Sequence, residues 1–532
     1  MRKSIMGFAA VGVAAMLACA LGAPPPACAS PGDILWESEY SSEPGQDSDF
    51  ARGIALDPGG NLLITGSRTE KSGNYDYLTF KYLPDGGYAW ARAYNGTWYD
   101  AGRAVASDNT GNAVVAGASY NLANPRDTYS GSYYTDYHVV KYSPEGEPLF
   151  EMTASGFMRN NVPASVAVDD QGGIYVTGSA KNAPDTQTLY YTVKFDPAGQ
   201  LLWERAEDWI DEAAATGIAV DPDGNTVITG YEKDPRSETY DVRTLRYPPD
   251  GYRAMMDVTY NNLYEDEKAW AVAVDGEGCI VIAGESSQAG GQALVLKYSP
   301  DGDLLWVQRY SGTAHENHAN AVAVDRYGRI YAAGRVADAD GEGDFLLLVY
   351  GPDGTLMGDF VYPAEGDAGA EGVVVEPDGD VVITGTVAPA REPGVIRTSR
   401  VEGYPSPFAR ELDPRELLDV GSRLSLSGLP RPMVRDVSLR AYRLDPEDSY
   451  SAVKFVAYPS TLPGDYEYRF YTYGVDTVHD WEPMTDYTGS NAWTYTPDGK
   501  RGGPGRVMVT VRAKGSGLPY EAKAVMEIGP GW

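Results

Sequence analysis

One segment recurs seven times along the chain, at a spacing that few architectures accommodate. Its first copy reads Ile54-Ala55-Leu56-Asp57, two residues, then Gly60-Asn61-Leu62-Leu63-Ile64-Thr65-Gly66. The matching acids are Asp57, Asp108, Asp169, Asp221, Asp275, Asp325 and Glu376, spaced 51, 61, 52, 54, 50 and 51 residues apart. A second segment follows in most copies, as in Lys297-Tyr298-Ser299-Pro300-Asp301-Gly302-Asp303-Leu304-Leu305-Trp306, with counterparts starting at Lys81, Lys141, Lys194, Arg246 and Val349. Each period holds four short β-patterned runs punctuated by Asp-Gly or Gly-Asn turns. That pattern predicts a blade of sheet and excludes a helical solenoid.

The side chains two and four residues before each acid are small, as at Gly53 and Ala55, Gly217 and Ala219, or Ala321 and Ala323. The odd offsets carry aliphatics such as Ile54, Val166 and Val324. In a strand these sets face opposite sides. A face with almost no volume suits an innermost strand, where neighbouring sheets converge on an axis. The expected fold is therefore all-β, a seven-bladed β-propeller over residues 30–402. The seventh copy lacks a Leu-Leu-Trp strand, while Pro31-Gly32-Asp33-Ile34-Leu35-Trp36 is a free one. The N-terminal strand is thus expected to complete the last blade and remove its exposed edge.

With these residues the chain resembles the bacterial exported β-propeller repeat family of SBBP type, whose pattern is A-x-D-x-x-G-N-hhh-x-G followed by D-Y-x-x-x-K-Y-x-P-x-G-x-x-x-W. The match spans about 31–402. The resemblance implies an extracytoplasmic bacterial protein and brings no shared catalytic residues. After a connector over 403–420, alternating apolar residues return in 421–532. Tyr466-Glu467-Tyr468-Arg469-Phe470, Trp481, Ser490-Asn491-Ala492-Trp493 and Val507-x-Val509-x-Val511 resemble bacterial immunoglobulin-like modules, which implies one β-sandwich.

Export is written at the N-terminus. Arg2 and Lys3 precede an apolar run from Ile5 to Ala23, and Ala27-Cys28-Ala29 fits a small-x-small cleavage site. Residues 1–29 are expected to be a signal peptide, with the mature chain starting near Ser30 and secreted or held at the cell surface or periplasm. The alternative is lipidation at Cys19 within Met16-Leu17-Ala18-Cys19. No later segment reaches the roughly 18 apolar residues of a spanning helix. With three cysteines no disulfide framework forms; Cys279 lies in an apolar strand and is expected to be core.

Charge narrows the partners. The net charge is −32, and 403–532 holds 17 acids against 15 bases, so the imbalance sits on the propeller. That excludes nucleic acid and anionic surfaces as natural partners and favours cationic or neutral sugar-like ones. A protein or carbohydrate ligand bound to a monomer is expected.

For a site, the residues eight before the repeat acid come first: Asp49, Asp100, Asn161, Glu267 and Asn317. In a closed ring they would surround one mouth, near Trp98, Tyr99, Trp209, Tyr264, His315 and His318. Acids and aromatics there would hold a sugar, a cation or a basic peptide. The competing reading is that they cap the turn into each inner strand. No cofactor is implied; Asp221–Asn225 and Asp338–Asp344 only faintly resemble calcium loops. His315 and His318 lack a nearby third zinc ligand. No phosphate loop, G-x-S-x-G elbow or cysteine nucleophile is found. The leading expectation is a non-catalytic binding or scaffold protein. The alternatives are an extracellular hydrolase or lyase acting on polysaccharide in the propeller mouth, and a structural envelope component.

Overall fold

Alternating side chains make each repeat a run of strands, and the Asp-Gly turns set where the chain reverses. In the computed structural model the described residues are 30–404, apart from 43–47, 70–72, 97–99, 121–134, 155–158, 182–186, 208–211, 263–264, 313–315, 338–340 and 390–391, together with the backbone of seven strands between 436 and 527. The leader, Cys19 and most of the 403–420 connector lie outside them.

Among the described residues of the N-terminal unit there are seven four-stranded antiparallel sheets. The first consists of Ser48–Leu56, Leu62–Thr69, Tyr75–Tyr82 and Tyr88–Tyr94, in that order. Blades two to six occupy 100–154, 159–206, 213–260, 267–310 and 318–362. The seventh holds Asp367–Val375, Val381–Ala388 and Val395–Val401, with Ile34–Tyr40 antiparallel along the last of these (Trp36 opposite Arg400, Tyr40 opposite Ile396). Inner strands touch their neighbours all the way round, including Ser48–Leu56 against Asp367–Val375. This is a seven-bladed β-propeller. The small residues are needed where inner strands meet, since a Cβ on Gly217 would lie 2.9 Å from Val272 N. Between blades the core is aliphatic and tyrosine-rich, as in Val114, Tyr137, Ile174 and Tyr191.

The repeat acid builds its own turn. Asp57 Oδ1 accepts the N–H groups of Gly59 (2.8 Å) and Asn61 (2.9 Å), and Asp108, Asp169, Asp221, Asp275 and Asp325 do the same two and four residues on. Its second oxygen receives a buried cation from the third strand: Lys81 at 2.7 Å, Lys141 at 2.9 Å and Lys297 at 3.0 Å from their acids. The same lysine then reaches the next blade, Lys81 Nζ donating to Pro144 O and Lys297 Nζ to Pro352 O. The blade's tryptophan joins it there, Trp90 Nε1 donating to Pro144 O at 2.9 Å and Trp306 Nε1 to Pro352 O at 3.1 Å. The indole also covers the turn glycine that follows; Gly146 has φ +82 and a Cβ on it would lie 2.7 Å from Trp90. Lys, Pro, Gly and Trp are thus one hook between consecutive blades. Tyrosine hydroxyls add a second link, Tyr137 to Tyr191 O at 2.9 Å.

Residues 411–532 form a separate unit. Asp436–Arg443, Val453–Ser460 and Ala492–Tyr495 make a three-stranded antiparallel sheet, and Glu482–Pro483, Tyr466–Tyr473, Arg506–Ala513 and Ala522–Glu527 a four-stranded one. Among the described residues no helix is long and apolar enough to cross a membrane. Cys279 is buried and free.

Candidate functional site

Every inner strand carries a β-bulge at the same place. The register with the second strand slips between Ala51 and Gly53, Gly102 and Ala104, Pro163 and Ser165, Ala215 and Gly217, Ala269 and Ala271, Ala319 and Ala321, and Ala370 and Gly372. The extra residue of a bulge leaves the ladder and its side chain is re-aimed. Here the extra residues are Arg52, Arg103, Ala164, Thr216, Trp270, Asn320 and Glu371. All seven line two cavities on the propeller axis, of about 290 and 210 Å³, so they form a waist that the cavities share. The larger is at the small end of ligand pockets, about 300–1,000 Å³.

The bulge dictates a glycine opposite it. The carbonyl two residues before the bulge points at the second strand, and a Cβ on Gly230 would lie 2.1 Å from Ala214 O. Gly66, Gly117, Gly178, Gly284, Gly334 and Gly385 face the same obstruction. The repeated glycine closing the hhh-x-G run was the sequence signal for this waist.

The waist is chemically uneven. Thr216 Oγ1 donates to Ala269 O (2.9 Å) and Asn320 Nδ2 to Ala370 O (3.0 Å), so both are committed to the next blade's bulge. Trp270 meets Tyr231 edge-on, with centroids 5.9 Å apart. Lys268 Nζ lies 4.1 Å from the Tyr240 ring centroid and 5.1 Å from that of Tyr231. Arg52 Nη1 is 4.0 Å from Glu371 Oε1. Burial raises the Glu371 carboxyl above its ordinary range, and Arg52 and Arg103 oppose that rise. Arg103 Nε is buried with no hydrogen-bond partner among the described residues.

The residues expected from the sequence sit one layer away. Asp49, Asp100 and Glu267 are 0% exposed. Asp49 accepts from Ser42 N and Oγ, Asp100 from Gly96 N (2.9 Å) and Ser119 Oγ (2.5 Å), and Glu267 from Asn262 N (3.3 Å) and Ser286 Oγ (3.0 Å). Asn317 Nδ2 donates to Gly291 O at 3.1 Å. The three acids hold the loop entering their own blade, whereas Asn317 ties that loop to the Gln288–Gly290 turn of blade five. His318 is half-buried opposite Arg335, and burial with Arg335 lowers its imidazole pKa. Trp98, Tyr99, Trp209, Tyr264 and His315 lie outside the described residues. Asp221 of the first calcium-like loop is taken by its turn amides, Asn225 and Arg246; the second loop is described only in part. Glu376, Asp378 and Asp380 cluster within 4.8 Å, with the Arg400 guanidinium on all three at 2.6–2.9 Å.

No family model and no curated protein matches the chain. Among solved structures, it is similar to a protein of unknown function from Dyadobacter fermentans (13% identity, 70% of this chain and 99% of that one, TM-score 0.41). It is also similar to an ulvan lyase of polysaccharide lyase family 25 (11%, 73% and 100%, 0.43) and to the β-propeller domain of the trilobed protease from Pyrococcus furiosus (10%, 68% and 98%, 0.40). Likenesses of this size assign no activity to the chain.

Proposed function

We propose that this is an exported, non-catalytic binding protein of the SBBP-like kind, whose propeller receives a small polar ligand, or the end of a polymer, at its axial waist. One observation carries the reading. Acid, cation, glycine and small residues repeat from blade to blade, whereas the seven equivalent bulge positions are Arg, Arg, Ala, Thr, Trp, Asn and Glu. A repeated scaffold with near-unique side chains aimed at one axis is what recognition of an asymmetric ligand requires. Glu371 is the one carboxylate among these seven positions, which gives a glycoside hydrolase no carboxylate pair there. Within the same reading the N-terminal strand closes the ring. Residues 421–532 form an immunoglobulin-like spacer, and the leader exports the chain, with Cys19 as the alternative anchor.

The test is ligand profiling of the mature protein on glycan, peptide and small-metabolite panels, followed by Trp270→Ala. We expect at least one saturable ligand whose binding weakens tenfold or more in that variant. Binding unaffected by Trp270→Ala, or ligand turnover by the wild type, overturns the proposal.

A further inference from the structure

The two waist arginines have more donors than the protein uses. Arg103 has an orphaned, buried Nε. Among the described residues its guanidinium has no ion pair, and Arg52 has Glu371 alone at 4.0 Å, beyond hydrogen-bonding reach. Among the described residues no hydrogen bond joins them to the rest of the waist: Thr216 and Asn320 donate to backbone carbonyls, and Trp270 has no acceptor to offer. With Glu371 ionised, the waist carries one net positive charge inside a unit whose overall balance is strongly negative. The acidic exterior repels anions at long range, yet that field is screened within a Debye length of about 8 Å, while an arginine pair lining a cavity acts at contact.

Resting on the tunnel reading above, we propose that the axial waist binds an organic monocarboxylate, with the carboxylate on Arg52 and Arg103 and the ring or carbon skeleton against Trp270. A carboxylate fits because a guanidinium presents parallel N–H donors matched to two coplanar oxygens. A single negative charge fits because it balances two arginines beside one glutamate; a dianionic phosphate would be left with excess charge against Glu371. The free donors of Arg103 and the wall of Trp270 are both in place without ligand, so no rearrangement is needed.

The experiment uses the mature protein and four probes in calorimetric titration: glucuronate and benzoate, with methyl glucoside and benzamide as their neutral counterparts, and inorganic phosphate as a further arm. The expected result is that at least one carboxylate binds tenfold or more tightly than its neutral counterpart and than phosphate. Arg103→Gln should lose that preference while keeping or raising the thermal midpoint, because it removes an unpaired buried donor; a purely structural arginine would lower it. Equal affinity for the neutral probes, no binding by either carboxylate, tighter binding of phosphate, or an unchanged preference in Arg103→Gln overturns the assignment. Trp270→Ala separates the two readings. If it abolishes binding of a ligand that Arg103→Gln leaves alone, the tunnel site stands and the carboxylate falls; if neither variant changes binding, both fall.

Discussion

At the residue scale, the informative blades are those that depart from the repeat. Blade six has Val349 where the other blades have lysine or arginine, and Asp325 would be buried without a cation. Arg329, four residues on, supplies it from within the turn, its Nε 2.6 Å from the acid with both side chains almost wholly buried. Removing one member of a buried pair costs more than the pair contributes, roughly 3–5 kcal/mol. Arg329→Asn should therefore destabilise the propeller by about 3 kcal/mol, and adding Val349→Lys should recover most of it by restoring the arrangement of blades one, two and five. Denaturant titration of the single and double variants decides this, and additive losses would refute it. Blade seven departs differently. Glu376 replaces the aspartate, and burial, with Asp378 and Asp380 alongside, raises its carboxyl to about 7 despite Arg400. In the unfolded chain the group titrates near its ordinary 4.5. Below that pH it is neutral in both states. As pH rises toward 7 the unfolded chain releases a proton that the folded one keeps, so stability falls through this window. Glu376→Asp restores the side-chain length that accepts turn amides elsewhere. The variant should match the wild type near pH 4.5 and exceed it by roughly 1 kcal/mol at about pH 8. Thermal midpoints that diverge in the opposite direction would show the reasoning to be wrong.

At the element scale, strands were legible and the bulge was not. Alternation of aliphatics with small residues, read over seven copies, places each inner strand, because burial on one face and close approach on the other leave no freedom of side-chain size. The turn acids were equally readable, since Asp followed by Gly announces the reversal. The partnership between Asp57 and Lys81, and the reach of Lys81 and Trp90 to Pro144 of the next blade, was not readable as such. Both segments were visible, but a linear motif does not say that its halves join neighbouring units. The waist was missed for a related reason. Counting offsets by two along a strand presumes an unbroken ladder, and the slip at Arg52 resets the parity. Asp49, Asp100 and Glu267 stand out as acids in sequence yet are buried under their own loops. The repeated glycine opposite each bulge carried the missing information, and its meaning is steric rather than chemical.

At the scale of the whole molecule, one strand of the last blade comes from outside the repeats. Ile34–Tyr40 lies along Val395–Val401, Gly32 N–H donates to Glu402 O, and Tyr362 Oη donates to Gly32 O at 3.0 Å. The segment also holds both neighbours in the manner of an ordinary blade: a Cβ on Gly32 would collide with Phe360 of blade six, and Trp36 sits 3.3 Å from where a Cβ on Gly86 of blade one would be. All but the Trp36–Gly86 contact join residues more than 300 positions apart, so they form only when the two ends of the propeller sequence meet. If the strand closes the ring as proposed, a chain lacking residues 31–40 leaves Val395–Val401 as a bare edge and frees both hooks. Loss of a seven-residue strand with its half-buried Trp36 and Tyr40 packing should cost several kcal/mol, and the exposed ladder should promote self-association. The expected result is a much lower thermal midpoint together with higher-order species in size-exclusion chromatography, both relieved by supplying a 31–40 peptide in trans. A truncated chain that stays monomeric and melts with the intact one would show that the last blade is stable with three strands. The axial waist would then be held by the inner ring alone, since Arg52 and Glu371 face each other across the junction of the first and last inner strands, Ser48–Leu56 and Asp367–Val375.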